Sequence, residues 1–319
     1  MRTFLFVCLI SLFFACNQAN TNEALPKSDQ TGQPGAAPTA TSDHPYHLSI
    51  AKGELTQLMQ PGSRLMPLIS AHRGGRNIPG YPENSIEAFQ YISESIPVMI
   101  ECDISMSSDG VLLLMHDNTL DRTTNGFGKV ADQSWEELQQ FQLIDDFGKQ
   151  TDFKIPTLEE ALSWAKGKVI LSLDVKRGVP FKNVVDLVEE FEMEDYVEII
   201  TYNQNDALSV NRLNPDLMIS VTIRNQEEWM RMKNSGIPFD RMVAFTGTRL
   251  PTPALFDTLH AYGIPSILGT LGNLDQQAAR RGDQATYTPF LDLGADILAT
   301  DRPLEAGVIT EKFKEAKND

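Results

Sequence analysis

Residues 97–104, Pro97-Val98-Met99-Ile100-Glu101-Cys102-Asp103-Ile104, carry the pattern that decides the fold. Side chains alternate between the two faces of a β-strand. One face then holds Val98, Ile100, Cys102 and Ile104, and the other holds Met99, Glu101 and Asp103. The apolar face suits a shell of helices, and the acidic pair suits the C-terminal mouth of a barrel. Residues 169–176 (VILSLDVK) repeat the arrangement, with Val169, Leu171, Leu173 and Val175 on one face and Ser172, Asp174 and Lys176 on the other. Two separate strands thus deliver carboxylates to one rim.

Outward from these two strands the same alternation of elements continues. Strand-like runs occupy 67–72, 97–104, 111–116, 169–175, 197–201, 217–223, 241–246, 264–269 and 296–300. Ser134-Trp135-Glu136-Glu137 and Thr157-Leu158-Glu159-Glu160 fit the capping box that opens a helix. Segments 225–235 and 252–262 read as helices that stop at Gly236 and Gly263. Strands alternating with helices predict a parallel sheet with helices outside, here a TIM-type (β/α)8 barrel over 64–311. Nine candidate strands are one too many. The six residues 105–110 (SMSSDG) are too few for a helical crossover, so an extended return is expected there.

The N-terminus is of another kind. Arg2 precedes an apolar run from Phe4 to Phe14, followed by Ala15 and Cys16. Such a run is too short to span a bilayer but fits a secretory signal over 1–15. A small residue before Cys16 resembles a lipobox, which makes Cys16 the lipidated residue of a cell-envelope lipoprotein; a plain signal peptide is the alternative. Cys8 would leave with the signal, so Cys102 remains without an intrachain partner. Residues from 17 to about 45 are rich in Pro, Gly, Ala, Thr, Asn and Gln and read as a flexible tether, with the linker running to 63. His44 and His47 at its end are expected in solvent. Acidic residues outnumber basic ones by 43 to 27, a net charge of −16, which argues against a nucleic-acid partner. Contact with a membrane is expected through the anchor only.

Carboxylates converging in one cavity repel unless a cation sits among them. Oxygen ligands favour a hard ion, Mg²⁺ or Ca²⁺. Isolated surface salt bridges are the competing explanation, which acidic i, i+2 pairs at the ends of apolar strands do not suit. His72 ends the first strand beside Arg73-Gly74-Gly75, and His116 ends the third beside Asp117. Two imidazoles at that rim could act as general acid and base. Arg73 and Lys176 can neutralise phosphate oxygens, and Gly74 and Gly75 allow close backbone approach. His260, inside a helix, reads as structural.

At these residues the sequence resembles the glycerophosphodiester phosphodiesterase family. The resemblance runs in order through Ala71-His72-Arg73-Gly74-Gly75, Pro82-Glu83-Asn84-Ser85, Glu101-x-Asp103, Asp109-Gly110 and His116-Asp117. It continues with Leu120-Asp121-Arg122-Thr123-Thr124, Ile155-Pro156-Thr157-Leu158-Glu159-Glu160 and Thr300-Asp301-Arg302-Pro303. It implies a barrel in which Glu101, Asp103 and Asp174 bind a divalent ion and His72 and His116 form the acid–base pair. It also implies that Arg73 and Lys176 contact phosphate and that Glu83 lies near the metal or phosphate. The implied reaction cleaves a small glycerophosphodiester to glycerol 3-phosphate and an alcohol, through attack of the glycerol 2-hydroxyl on phosphorus. Two departures stand out: Asp174 replaces the family's usual Glu, and residues 267–273 (ILGTLGN) replace its usual Trp-Thr-x-Asn.

Three other readings compete. A phosphodiesterase, including a phospholipase D-like one, could act on a lipid or an envelope polymer. A lipoprotein could bind phosphorylated ligands without turnover. A barrel glycosidase would leave both histidines and Arg73 without a purpose.

Overall fold

A computed structural model describes residues 44–281 and 286–318. The signal segment 1–15, Cys16 and the tether up to residue 43 lie outside the described residues.

The strands are β1 (Leu68–Ala71), β2 (Val98–Met106), β3 (Leu112–Leu114), β4 (Gln142–Ile144), β5 (Gln150–Lys154), β6 (Leu171–Val175), β7 (Val197–Thr201), β8 (Met218–Thr222), β9 (Met242–Phe245), β10 (Ser266–Gly269) and β11 (Ile297–Thr300). Eight of them close a parallel barrel in the order β1, β2, β6, β7, β8, β9, β10, β11, with β11 and β2 both pairing β1. The surplus ninth candidate is β3. It returns antiparallel along the far end of β2, with Ile104 opposite Leu114, because six residues can make a turn but not a crossover.

Register explains the acidic rim. Asp103 of β2 lies beside Asp174 of β6, and Glu101 lies beside Ser172. The two short acids stand level, while the longer Glu101 rises from two residues lower. Both expected capping boxes are present, at Ser134 and Thr157, each with reciprocal side-chain and backbone bonds. Helices Gln226–Lys233 and Pro253–Ala261 match the expected segments, and Gly236 and Gly263 follow them with φ of 86° and 71°.

Between β2 and β6 the chain builds an unforeseen lobe. The β4–β5 hairpin and a small core of Leu113, Met115, Leu120, Val130, Leu138, Leu143 and Ile155 form it. The expected linker also ends earlier than residue 63. Ile50, Leu55, Leu58, Met59 and Leu65 are buried in the main core, so hydrophobic burial joins this stretch to the folded body. The Leu48 amide donates to the Lys168 carbonyl at 2.8 Å and the Ile50 amide to the Tyr196 hydroxyl at 2.8 Å, at the N-terminal ends of β6 and β7. His44 and His47, expected in solvent, are half-buried with ring centroids 4.9 Å apart.

Candidate active site

The barrel's C-terminal mouth gathers the acidic groups. Glu101, Asp103 and Asp174 are all buried, and one ligand oxygen from each lies within 4.8 Å of the others. Burial, with Asp103 and Asp174 close by, pushes the Glu101 carboxyl well above its usual range. Asp174 Oδ1 is buried without a hydrogen-bond partner. The Lys176 ammonium stands 2.6 Å from Asp103 and 2.5 Å from Asp174, a positive charge lodged where the carboxylates need one. Burial lowers its pKa, but those two carboxylates reverse the sign and raise it. A cluster of three buried carboxylates, with one Asp174 oxygen left unpartnered, fits a hard divalent ion.

His72 follows β1 directly, and its Nε2 lies 4.0 Å from Glu101 Oε2. Its Nδ1 bonds Asp301 at 2.7 Å, from just past β11. A carboxylate only accepts, so Nδ1 is the donor and Nε2 is left for chemistry. Burial alone would lower the His72 pKa; the bond to Asp301 and the nearby Glu101 outweigh it, and the net shift is upward. His116 has the same device: its Nδ1 bonds Asp117 at 2.6 Å. Hydrogen bonds from Arg122 and His116 hold Asp117 well below the usual carboxylate range.

A chain of charges connects the two histidines' surroundings. Arg122 bonds Asp117 at 2.6 Å and Glu83 at 2.8 Å. Glu83 accepts from Arg73 at 2.9 Å and lies 3.2 Å from Arg76, while Arg73 Nε lies 3.3 Å from Asp103. Glu83, expected near the metal or phosphate, therefore stands one step behind the triad with its oxygens taken by arginines. Burial would raise its pKa, but Arg122, Arg73 and Arg76 bring it down to about 2. Arg73 and Lys176, expected on phosphate, are both engaged with carboxylates of this site.

Local backbone strain sets the first loop. Arg73 and Asn84 adopt φ of 55° and 57°, a left-handed conformation uncommon for residues with a Cβ. Asn84 holds Asp103 at both ends, donating from Nδ2 at 2.7 Å and accepting from the Asp103 amide at 3.0 Å. Gly74 has φ of 79°, and a Cβ there would meet Phe89 Cδ1 at 2.5 Å. The glycine is required by packing beneath the loop rather than by approach to a ligand alone.

Several site residues escaped the sequence reading of roles. Asp117, Arg122 and Asp301 lie in quoted motifs, yet the partner of Asp301 is 229 positions away. Asp275, buried at 3% exposure, accepts from Tyr287 at 2.9 Å, Thr300 at 2.9 Å and the Asp301 amide at 2.8 Å, and so fixes the stretch that holds His72. Glu198 is fully buried inside the barrel, where Ser172 donates to it at 2.6 Å.

A glycerophosphoryl diester phosphodiesterase family model matches residues 72–305. A glycerophosphodiester phosphodiesterase of Bacillus altitudinis is 26% identical over 78% of this chain and 100% of its own length. One of Caldanaerobacter subterraneus is 32% identical over 48% of this chain, and the matched stretch spans 65% of that relative. A crystal structure of a glycerophosphoryl diester phosphodiesterase from Parabacteroides distasonis superposes with a TM-score of 0.79 at 36% identity, covering 84% of this chain and 94% of that one. The match spans most of the chain and contains every residue of the acidic triad and both rim histidines: the chain belongs to the glycerophosphoryl diester phosphodiesterase family, a family of phosphoric diester hydrolases.

Proposed function

We propose that this protein hydrolyses glycerophosphodiesters to glycerol 3-phosphate and an alcohol, with Mg²⁺ or Ca²⁺ held by Glu101, Asp103 and Asp174. The observation that carries the reading is the buried triad, with oxygens within 4.8 Å of one another and His72 Nε2 at 4.0 Å from Glu101. Those three carboxylates would hold the ion, which would supply stabilisation of the charge developing on the phosphoryl oxygens.

His72 and His116 divide the proton transfers. Each imidazole is oriented through Nδ1 by an aspartate, so each presents Nε2 as the working atom. One takes the proton of the glycerol 2-hydroxyl as its oxygen bonds phosphorus. The other gives a proton to the alcohol oxygen as the old P–O bond breaks. Water then opens the resulting cyclic phosphate with the roles reversed. Lys176 and Arg73, both held against Asp103, supply two positive charges to the phosphate oxygens at the same edge.

The test is release of glycerol 3-phosphate by purified protein supplied with Mg²⁺ or Ca²⁺. EDTA, His72→Ala and His116→Ala should each lower the rate by about a hundredfold or more. Full activity in both histidine variants would defeat the mechanism, and tight ligand binding with no product over hours would favour a binding protein. The same reading places the enzyme in the cell envelope through lipid on Cys16; a mature protein without added lipid mass would remove the anchor but not the chemistry.

A further inference from the structure

The arginines and carboxylates from 73 to 122 close one side of the mouth, while the side over β6 to β9 is open. Beside the triad lies a cavity of about 460 Å³ lined by Asp174, Lys176, Arg177, Tyr202 and Asn203. Tyr202 and Asn203 also line a second cavity, of about 370 Å³, which reaches Arg224 and Arg231. Arg224 in turn lines a third, of about 440 Å³, that extends to Arg249 and Leu250. Shared lining residues set the three cavities next to one another, as a segmented groove around the rim. Three strand spacings separate β6 from β9, roughly 14 Å at about 4.8 Å each, more than one phosphodiester needs.

The groove differs from the rest of the surface in charge. The chain as a whole carries −16. Beyond Tyr202 the walls hold Arg224, Arg231 and Arg249; Glu228 pairs with Arg224 and Glu227 with Arg231, the latter at 3.1 Å, which leaves an excess of one positive charge. Glu228 fixes Arg224, accepting from its Nε at 3.1 Å and from its amide at 2.7 Å. Gly247, at φ +94°, lies under the Arg224 arm, and a Cβ there would stand 3.3 Å from its Cγ and Cδ. Any other residue at 247 would press on that arm, so the loop is shaped around a guanidinium in a set direction. Arg249 has no carboxylate partner among the described residues. The Tyr202 ring, 64% exposed, forms a wall between the triad and these arginines.

We infer that the groove receives the alcohol portion of the substrate and that this portion carries a second anionic group, a phosphate or carboxylate, bound by Arg224 and Arg249. Arg249 offers its guanidinium fork to such oxygens and Arg224, whose Nε and Nη2 are taken by Glu228, offers Nη1; a charge-assisted pair discriminates strongly against an uncharged group. The inference rests on the phosphodiesterase reading above and names its substrate class.

The experiment compares glycerophosphoglycerol with glycerophosphoglycerol phosphate, using the full chain loaded with Mg²⁺ at low salt. The phosphorylated alcohol should have a kcat/KM about tenfold higher or more, carried by KM, and the preference should shrink as salt rises. The Arg224→Gln/Arg249→Gln double variant should bring the ratio of the two substrates close to one. Equal kcat/KM in the wild type, or an undiminished ratio in the double variant, overturns the inference while the hydrolase reading stands. If neither compound is cleaved, the hydrolase reading itself fails. An oligomer of glycerol phosphate cleaved faster than the small diester would identify a polymer as the source of the second anion; slower cleavage would identify a small molecule.

Discussion

Replacing Glu83 by Gln tests the charge network that backs the triad. The side chain keeps its size, but Arg73, Arg76 and Arg122 lose a buried counter-charge. Those arginines bring the Glu83 carboxyl from an ordinary 4.5 down to about 2. Two to three pKa units correspond to about 3 kcal/mol of folding free energy. Removing one partner of a buried ion pair costs about 3–5 kcal/mol by direct measurement in other proteins, which agrees. The sign follows from the direction of the shift. A carboxylate with a depressed folded pKa contributes stability above its unfolded pKa and loses it as pH falls through the folded value. Urea unfolding should therefore show the variant less stable by about 3 kcal/mol at pH 7 but by only about 1 kcal/mol at pH 3. At neutral pH the melting temperature should fall by about 6–12 °C. A deficit that is the same at both pH values, or below about 1 kcal/mol at pH 7, would mean that the arginines do not hold Glu83 as a buried counter-charge.

Asp301→Asn should leave the fold intact but lower kcat about tenfold or more with little change in KM, because His72 Nδ1 loses its carboxylate acceptor; an unchanged kcat would show that Asp301 does not orient the imidazole. Glu198 is raised to about 7 by burial, only partly countered by the Ser172 hydrogen bond. The unfolded chain gives up that proton near 4.5 while the folded one keeps it, so wild-type stability falls as pH rises from about 4.5 to 7. Glu198→Gln should consequently gain up to about 3 kcal/mol on the wild type at pH 8 and almost nothing at pH 4; an equal difference at both would contradict it. Asp174→Asn should abolish the response of activity to added divalent ion while leaving far-UV circular dichroism unchanged, and a retained metal response would remove Asp174 from the ligand set.

What the sequence disclosed follows the period-two rule. In 98–104 and 169–176 one face is wholly apolar and the other turns acidic toward its C-terminal end, after Met99 and Ile170, which sets Glu101, Asp103 and Asp174 at one rim; the register places Asp103 beside Asp174. The same rule, applied to 197–201, would have found Glu198. Val197, Ile199 and Thr201 share one face, which leaves the glutamate pointing into the barrel.

Other features had no such signal. The β4–β5 hairpin is half-polar, with Gln142, Gln150 and Asp152 among its residues, and its register shifts at a bulge. The segment around Ile50 to Met59 buries a few apolar residues scattered among polar ones, too sparse to separate from the tether before it. The partners of the histidines differ in a telling way. Asp117 is adjacent in sequence to His116 and was visible in the motif, whereas Asp301 meets His72 only because β11 closes the barrel against β1. Closure is a property of the whole chain, and no local pattern contains it.

The proposed catalysis requires one cation among Glu101, Asp103 and Asp174, within reach of phosphate and His72. A crystal of the protein grown with Mn²⁺ and glycerol 3-phosphate, with an anomalous difference map, tests it most directly. The expected result is a single strong peak bonded by oxygens of all three carboxylates and of the phosphate, with Lys176 moved off Asp174. A map with no peak at the triad, or with phosphate bound elsewhere on the barrel, would contradict it.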